Sequence, residues 1–572
     1  MSAFTGMQFT EAEEPALQAI EADIEHHSKL LVGLRRRRNS FVRLNRLPPE
    51  LLTEIFLYCR DEDWDLPINS ETAKCRATSP CFRWIFVTAV CNHWRQLALK
   101  TPRLWSDINL QYPKFATYSL QLAKQSPLCL QTTGFSTSER SILDDVVSND
   151  LRRVWSIWWE IPYGMNYKGE PLSAESSIVF SQLRNMFVAF GHGASNILPI
   201  FANIDFPAIQ TLHLVNCVEK LPPCLLAPTL ETLSLVDNRE SLYILPVELT
   251  TYLSRMSQLT SIELRGIGLG RKEEIVGSQL SLPHLRKVVL QPTDNHHKSY
   301  LSLLGSLDLS PGTHLDFDFI LAVNMSIEDL SSLLHIFLQH VRPLDLRTLA
   351  LRNEPALGWF FIELWDDILN TEDLIRDRPY SPYTLSLPQS SQAKGPLWKM
   401  LTRVVKQSSI ETIHLSYFIP RPSIEWKLQR FLRACNDVTH LSLEGPVSDA
   451  VFLKLLRQDR SDEGNPTPPP LAAPKLETIH FWGVLWPPPD FPDGSFNNLL
   501  STLYDRAQAG HPLREIIMRR CINLSGTAIT GLQERVDAVK PAMGMVKFTW
   551  DEYEEKDEEE DSESDDSDDQ ST

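Results

Sequence analysis

The 572-residue chain lacks most of the features that carry covalent chemistry or membrane insertion. No uncharged apolar run approaches the roughly 18 residues that a bilayer span needs, so no membrane partner is expected. The opening MSAFTGMQFTEAEEPALQ is acidic and has no apolar signal core, which argues against secretion. Nine cysteines are scattered from Cys59 to Cys521 without a CxxC pair. Cys75 and Cys81, with His93 downstream, are spaced too widely for the usual metal-ligand pair. Reduced thiols in a cytoplasmic or nuclear protein are the expectation. No metal or cofactor is expected either, because GxxxxGK[ST], HExxH and GxGxxG are all absent. FGHGAS (190–195) sets His192 beside Gly-Ala-Ser, yet a nucleophile elbow needs GxSxG. GLGRKEE (268–274) lacks the spacing of a phosphate cradle. The chain therefore reads as non-catalytic.

Charge is plentiful but uneven. Asp551–Thr572 holds fourteen acids and one lysine, a net −13 of the chain's −18, leaving −5 for the other 550 residues. Such a tail repels itself and buries no core, so 551–572 is expected to be disordered. It could solubilise the chain, accept phosphate at Ser562, Ser564 and Ser567, or meet a basic partner.

Residues 1–43 read as a charged helix: Leu17, Ile20, Ile24, Leu31 and Leu34 recur at helical steps in a short coiled-coil pattern. Arg35–Arg38 then suit a helix C-terminus. They lack neighbouring aromatics for base stacking, so no nucleic acid is expected. Residues 44–110 form a second segment. Pro48 and Pro49 fit a first helical turn, and Glu50 favours the positive end of the helix dipole. Leu51, Leu52, Ile55, Phe56 and Cys59 would then make one apolar face, with Leu47 just ahead. Residues 60–80 read as a loop, and 81–100 as one further helix carrying Val90, Trp94 and Leu97, stopped by Pro102.

LPPELLTEIF followed by VCNHWRQLALKTPRLWSDI resembles the F-box family, of the kind abundant in mushroom-forming fungi. Leu47, Pro48, Glu50, Ile55, Phe56, Val90, Cys91, Trp94, Arg95, Pro102, Leu104 and Trp105 match that pattern in order, with a longer interval between the helices. The resemblance implies docking on the Skp-type adapter of a cullin–RING ubiquitin ligase through Leu47, Pro48, Glu50, Leu51, Ile55, Phe56, Val90, Trp94 and Leu97. Pro102, Leu104 and Trp105 would hold the module together. The residues agree with that reading, since three short helices cannot hide so much apolar surface, and a surplus apolar face commonly marks a partner site. Packing against the rest of the same chain is the alternative.

In 206–550 an apolar-x-x-apolar-x-apolar pattern recurs: IQTLHL, LETLSL, LTSIEL, LRKVVL, LRTLAL, IETIHL, VTHLSL, LETIHF and LREIIM. Each reads as a short strand, and stretches such as SIEDLSSLLHIFLQHV have helical spacing. Two long gaps could hide further strands in THLDFDF and PYTLSL. Strand and helix alternating at repeat-like steps predict an α/β chain with an irregular leucine-rich-repeat solenoid; a single α/β domain with parallel strands is the alternative. The polar positions between core leucines, His213, Ser234, Glu263, Arg347, His414, Ser442 and His480 among them, would line the face that binds a protein target. Residues 111–205 read as a connecting and capping region, with the aromatics of RRVWSIWWEIPYGM sealing the first repeat. The expected function is substrate recognition for a ubiquitin ligase. A ligase-independent scaffold that binds basic proteins is the rival.

Overall fold

A computed structural model describes residues 14–61, 83–132, 136–161, 178–190, 204–216, 221, 223–237, 242–270, 279–293, 296–310, 312–341, 344–354, 356–377, 379–393, 395–417, 422–445, 453, 455–456, 471–486, 495–522, 524, 526–538 and 546–551. Cys75, Cys81, His192 and the tail beyond Asp551 lie outside them, as do most of the 60–80 interval and most of the proline-rich stretches 462–474 and 486–494. The chain is mixed α/β and divides into two units: Met1–Leu214 with Pro222–Ala227, and Val215–Leu221 with Pro228–Thr572.

The first unit opens with helices. α1 (Glu14–Ser40) is exposed almost throughout. α2 (Pro49–Asp61) starts as its two prolines and Glu50 suggest. The single helix expected over 81–100 is instead broken. A 3₁₀ turn (Arg83–Phe86) and α3 (Val87–Val90) end at Cys91, which is extended (φ −159°, ψ 168°), and α4 (Asn92–Lys100) begins afresh. Such a break orphans carbonyls, and the Arg95 side chain takes up one of them, donating to Thr88 O at 3.1 Å. Trp105 then gathers the unit. Its indole N–H donates to Ala98 O, and its ring meets Trp84 and Tyr118 edge-on at 5.1 and 5.5 Å.

A parallel sheet follows, earlier than the sequence suggested. β1 (Asp107–Asn109), β2 (Leu128–Thr132), β3 (Val154–Ile161) and β4 (Asn185–Phe190) pair in that order, with α5 (Pro113–Ala123) and α6 (Thr137–Asn149) between the first three. The tryptophan-rich stretch expected to be a cap is therefore an interior strand, hydrogen-bonded on both sides. It buries Val154, Ile157 and Trp159, a bulge after Val154 shifting the alternation by one residue. β5 (Thr211–Val215) follows, the Gln210 and Thr211 amides donating to Arg184 O.

The second unit is a large, mostly parallel sheet with helices between its strands. In chain order it has β6 (Thr232–Val236), α7 (Pro246–Leu253), β7 (Ser261–Arg265), β8 (Lys287–Gln291), α8 (His297–Ser306), β9 (His314–Asp318) and α9 (Ile327–Val341). Then come β10 (Thr348–Glu354), β11 (Trp359–Trp365), β12 (Tyr383–Pro388), α10 (Gly395–Gln407), β13 (Thr412–Ser416), α11 (Pro422–Ala434) and β14 (His440–Glu444). It closes with β15 (Thr478–Trp482), α12 (Ser495–Gln508), β16 (Glu515–Arg519), α13 (Gly526–Ala538) and β17 (Lys547–Trp550). All nine apolar stretches picked from the sequence contain strands, as do THLDFDF and PYTLSL.

Strands do not simply follow one another across this sheet. The order is β6-β7-β8-β9-β12-β11-β10-β13-β14-β15-β16-β17, with β11 antiparallel to both of its neighbours. α9 thus carries the chain past two places that β11 and β12 later fill. Register still aligns the core positions across the sheet: Leu233, Ile262, Val288, Leu315, Tyr383, Leu364, Leu349, Ile413, Leu441, Ile479 and Ile516 form one buried ladder. A one-residue slip would turn every one of them to the other face.

Several strand ends share one device. Asn216, Gly266, Tyr417, Gly445 and Gly483 each follow a strand in the left-handed region (φ 54°, 67°, 50°, 84° and 60°). The last four each donate the amide to the last carbonyl of the next strand in the sheet, at 2.7–3.0 Å. At Gly445 a side chain is doubly excluded, since a Cβ would also sit 2.8 Å from the Tyr417 ring.

Candidate functional site

The helical region sorts the proposed adapter-binding residues into two groups. On α2, Leu52, Phe56 and Leu57 are buried, while Leu51 (52% exposed), Ile55 (38%) and Tyr58 (69%) recur at i, i+4, i+7 on the outer face. α2 packs on the Arg83–Phe86 turn and on α4. Phe86 and Val90 (57% exposed) add apolar surface there. Pro48 and Glu50 are exposed; Leu47, Trp94 and Leu97 are half-buried.

One assignment changes. Phe56 is wholly enclosed, with its ring centroid 5.0 Å from that of Trp94, so it is a core residue and not a contact for another chain. The indole N–H of Trp94 donates to Asn45 Oδ1 at 2.6 Å, which ties the segment before α2 to α4. Trp94 thus also helps hold the helices together, as do Leu104 and Trp105, which are buried. Pro102 starts the 3₁₀ turn that delivers them. Sequence reasoning missed Tyr58 and Phe86 on the outside; an i, i+4, i+7 count from Leu51 would have found the first.

The polar face of the large sheet also departs from expectation. Ser234, Glu263, His414, Ser442 and His480 do share one ladder, with Val289, Asp316, Thr384, Glu363 and Ala350 between them. Ser234, His414, Ser442 and His480 are nonetheless buried, so they do not present a binding surface. Two causes act together. Neighbouring strands stand only about 4.8 Å apart, so side chains along a ladder bond to each other. His414 Nδ1 meets Ser442 Oγ at 2.9 Å and its Nε2 meets Glu444 Oε2 at 3.1 Å, while Ser234 donates to Glu263 at 2.7 Å. The segment 366–380, after β11, also packs over this face: Leu374 and Leu369 close on Ala350 and Trp365. Arg347 stands off the ladder and pairs with Glu411 at the strand entrance. His213 belongs to β5 and stands 6.4 Å, ring to ring, from Phe187.

Segment 366–380 borders two clefts. The first half lines a space of about 370 Å³ with Thr412, His440, His480, Arg519 and Thr549. Burial first, then Arg519 and His414, push the His480 pKa down to about 4, and its Nε2 has no hydrogen-bond partner. His480 is thus neutral when folded but protonates once unfolded. Below about pH 6.5 the unfolded chain binds the extra proton, so stability falls as pH drops towards 4, by up to roughly 3 kcal/mol. His480→Gln should flatten the urea midpoint across that window; parallel curves for the two proteins would refute it. The second half of the segment lines a cleft of about 390 Å³ that holds Asp316, Asp318, Arg352, Glu363 and Glu444.

Among the described residues no group of three or more His, Cys, Asp or Glu side chains could hold a metal ion, and no helix is long and apolar enough to cross a membrane. No family model matches the chain, and no curated protein does.

Proposed function

We propose that this chain is a substrate receptor of a Skp–cullin–F-box type ubiquitin ligase. Its N-terminal helices act as the F-box and dock the adapter. The later strands and helices form an irregular leucine-rich-repeat solenoid that holds a protein target. Ubiquitin transfer is then accelerated by proximity and not by a nucleophile of this chain. The observation that carries the reading is the outward apolar set Leu51, Ile55 and Val90, left exposed by helices whose opposite faces are already filled. The recurring left-handed residue after strands, its amide in four cases bonded to the next strand, supports the repeat reading, because it puts the same turn on several rungs. Mixing the purified full chain with a purified Skp-type adapter tests the proposal. A stable 1:1 complex that recruits cullin is expected; no complex at micromolar concentrations would overturn it.

A further inference from the structure

We propose that the cleft beside Asp316 and Asp318 receives a lysine or arginine side chain of a protein ligand. It rests on the receptor reading only in naming that ligand as the target.

The charges do not balance inside the cleft. Four carboxylates, Asp316, Asp318, Glu363 and Glu444, line it with one guanidinium, Arg352, and the His414 imidazole; Arg265 and Lys287 act on Asp316 from beside it, Lys287 lying 5.4 Å from the Tyr380 ring. Arg352 is already engaged: it lies 3.3 Å from Glu363 and 4.0 Å from Glu354, over the Phe361 ring at 4.6 Å. Glu444 accepts from Ser416 and meets His414. Asp316 faces Arg265 at 3.6 Å, but that guanidinium is held closer, at 2.6 Å, by Glu263. Asp318 accepts the Ile320 amide, and no cation among the described residues stands within 4.0 Å of it. Burial pushes both aspartate carboxyls up, against the opposing pull of Arg265 and, at Asp316, of Lys287.

A second feature is independent of charge. Trp365 lines the same cleft at 6% exposure, and its indole N–H finds no acceptor. Leaving a buried donor without a partner is unfavourable, so an incoming acceptor is favoured there. Together the two features describe a ligand that is cationic at one end and carries an acceptor nearby. A basic residue within a peptide has both: its head group meets the aspartates, and a main-chain carbonyl meets the indole. A free polyamine lacks the acceptor, and a metal ion lacks the ligand set. Tyr380 and Leu374 supply walls for the aliphatic stem.

Three acetylated, amidated pentapeptides test this on the full chain by calorimetry: Gly-Gly-Arg-Gly-Gly, its lysine version and its glutamate version. Arginine and lysine peptides should bind, more weakly as salt rises, and the glutamate peptide should not. Asp318→Asn should weaken binding at least tenfold and Trp365→Phe severalfold. Equal binding of acidic and basic peptides, or an unchanged affinity in both folded variants, overturns the proposal. Should one variant not fold, Asp316→Asn replaces it. Neither substitution touches the helical region, so each variant should still bind the adapter. Adapter failure with intact peptide binding would sink the ligase reading and leave the cleft standing.

Discussion

Leu51→Glu combined with Val90→Glu abolishes adapter binding and leaves the thermal unfolding of the chain almost unchanged. Both side chains are more than half exposed, so replacing them removes little folding energy. In a complex each would lose water contact. Fully burying a side chain of this size contributes about 1.5–3 kcal/mol and about half of each remains to be buried, so losing two weakens the complex roughly ten- to a hundredfold. The introduced carboxylates add the desolvation cost of a charge in an apolar groove. Phe56→Ala is the contrast. That ring is enclosed, and its loss empties the space against Trp94 at about 3–5 kcal/mol. Adapter binding should then fall together with helix stability. Surface plasmon resonance against the adapter, paired with circular dichroism melts, separates the two effects. Undiminished binding by the folded double glutamate variant would remove the interface from this face.

Local pattern carried part of the fold into view. The apolar-x-x-apolar-x-apolar stretches mark strands because a half-buried strand alternates every second residue, whatever it pairs with. Which strand becomes the neighbour is a long-range matter. No local signal said that β10, β11 and β12 would enter the sheet in reverse order, and WFFIELW escaped notice because its aromatic alternation differs from the leucine pattern. The site was legible to a smaller degree. The apolar content of α2 was plain, yet adjacent Leu51 and Leu52 point about 100° apart on a helix, so only packing decides which turns inward. The polar ladder failed for a similar reason. Alternation placed His414, Ser442 and His480 on one face correctly, but the covering segment 366–380 comes from a distant loop. The break at Cys91 was hidden by helix-compatible neighbours on both sides.

Arg506→Met should destabilise the second unit by about 3 kcal/mol, lowering the urea midpoint without moving any surface group. The residue is fully buried on α12, and burial pulls its pKa down to about 10, so the charge itself is expensive to enclose. Its hydrogen bonds decide the balance. Nη1 donates to Ala472 O and Nη2 to Ala473 O, both at 2.8 Å, and Nη2 also reaches Leu476 O at 3.5 Å. Those carbonyls belong to the turn that feeds β15. Ala473 sits there at φ 43°, a conformation that costs an alanine roughly 1–3 kcal/mol and persists only where neighbours enforce it. Methionine restores the apolar volume but leaves carbonyls without donors and the left-handed alanine without its clamp. Lysine should recover only part of the loss, because an ammonium cannot present the same planar fork to two carbonyls. A methionine variant as stable as the parent, or more so, would mean that enclosing the guanidinium outweighs everything it holds in place.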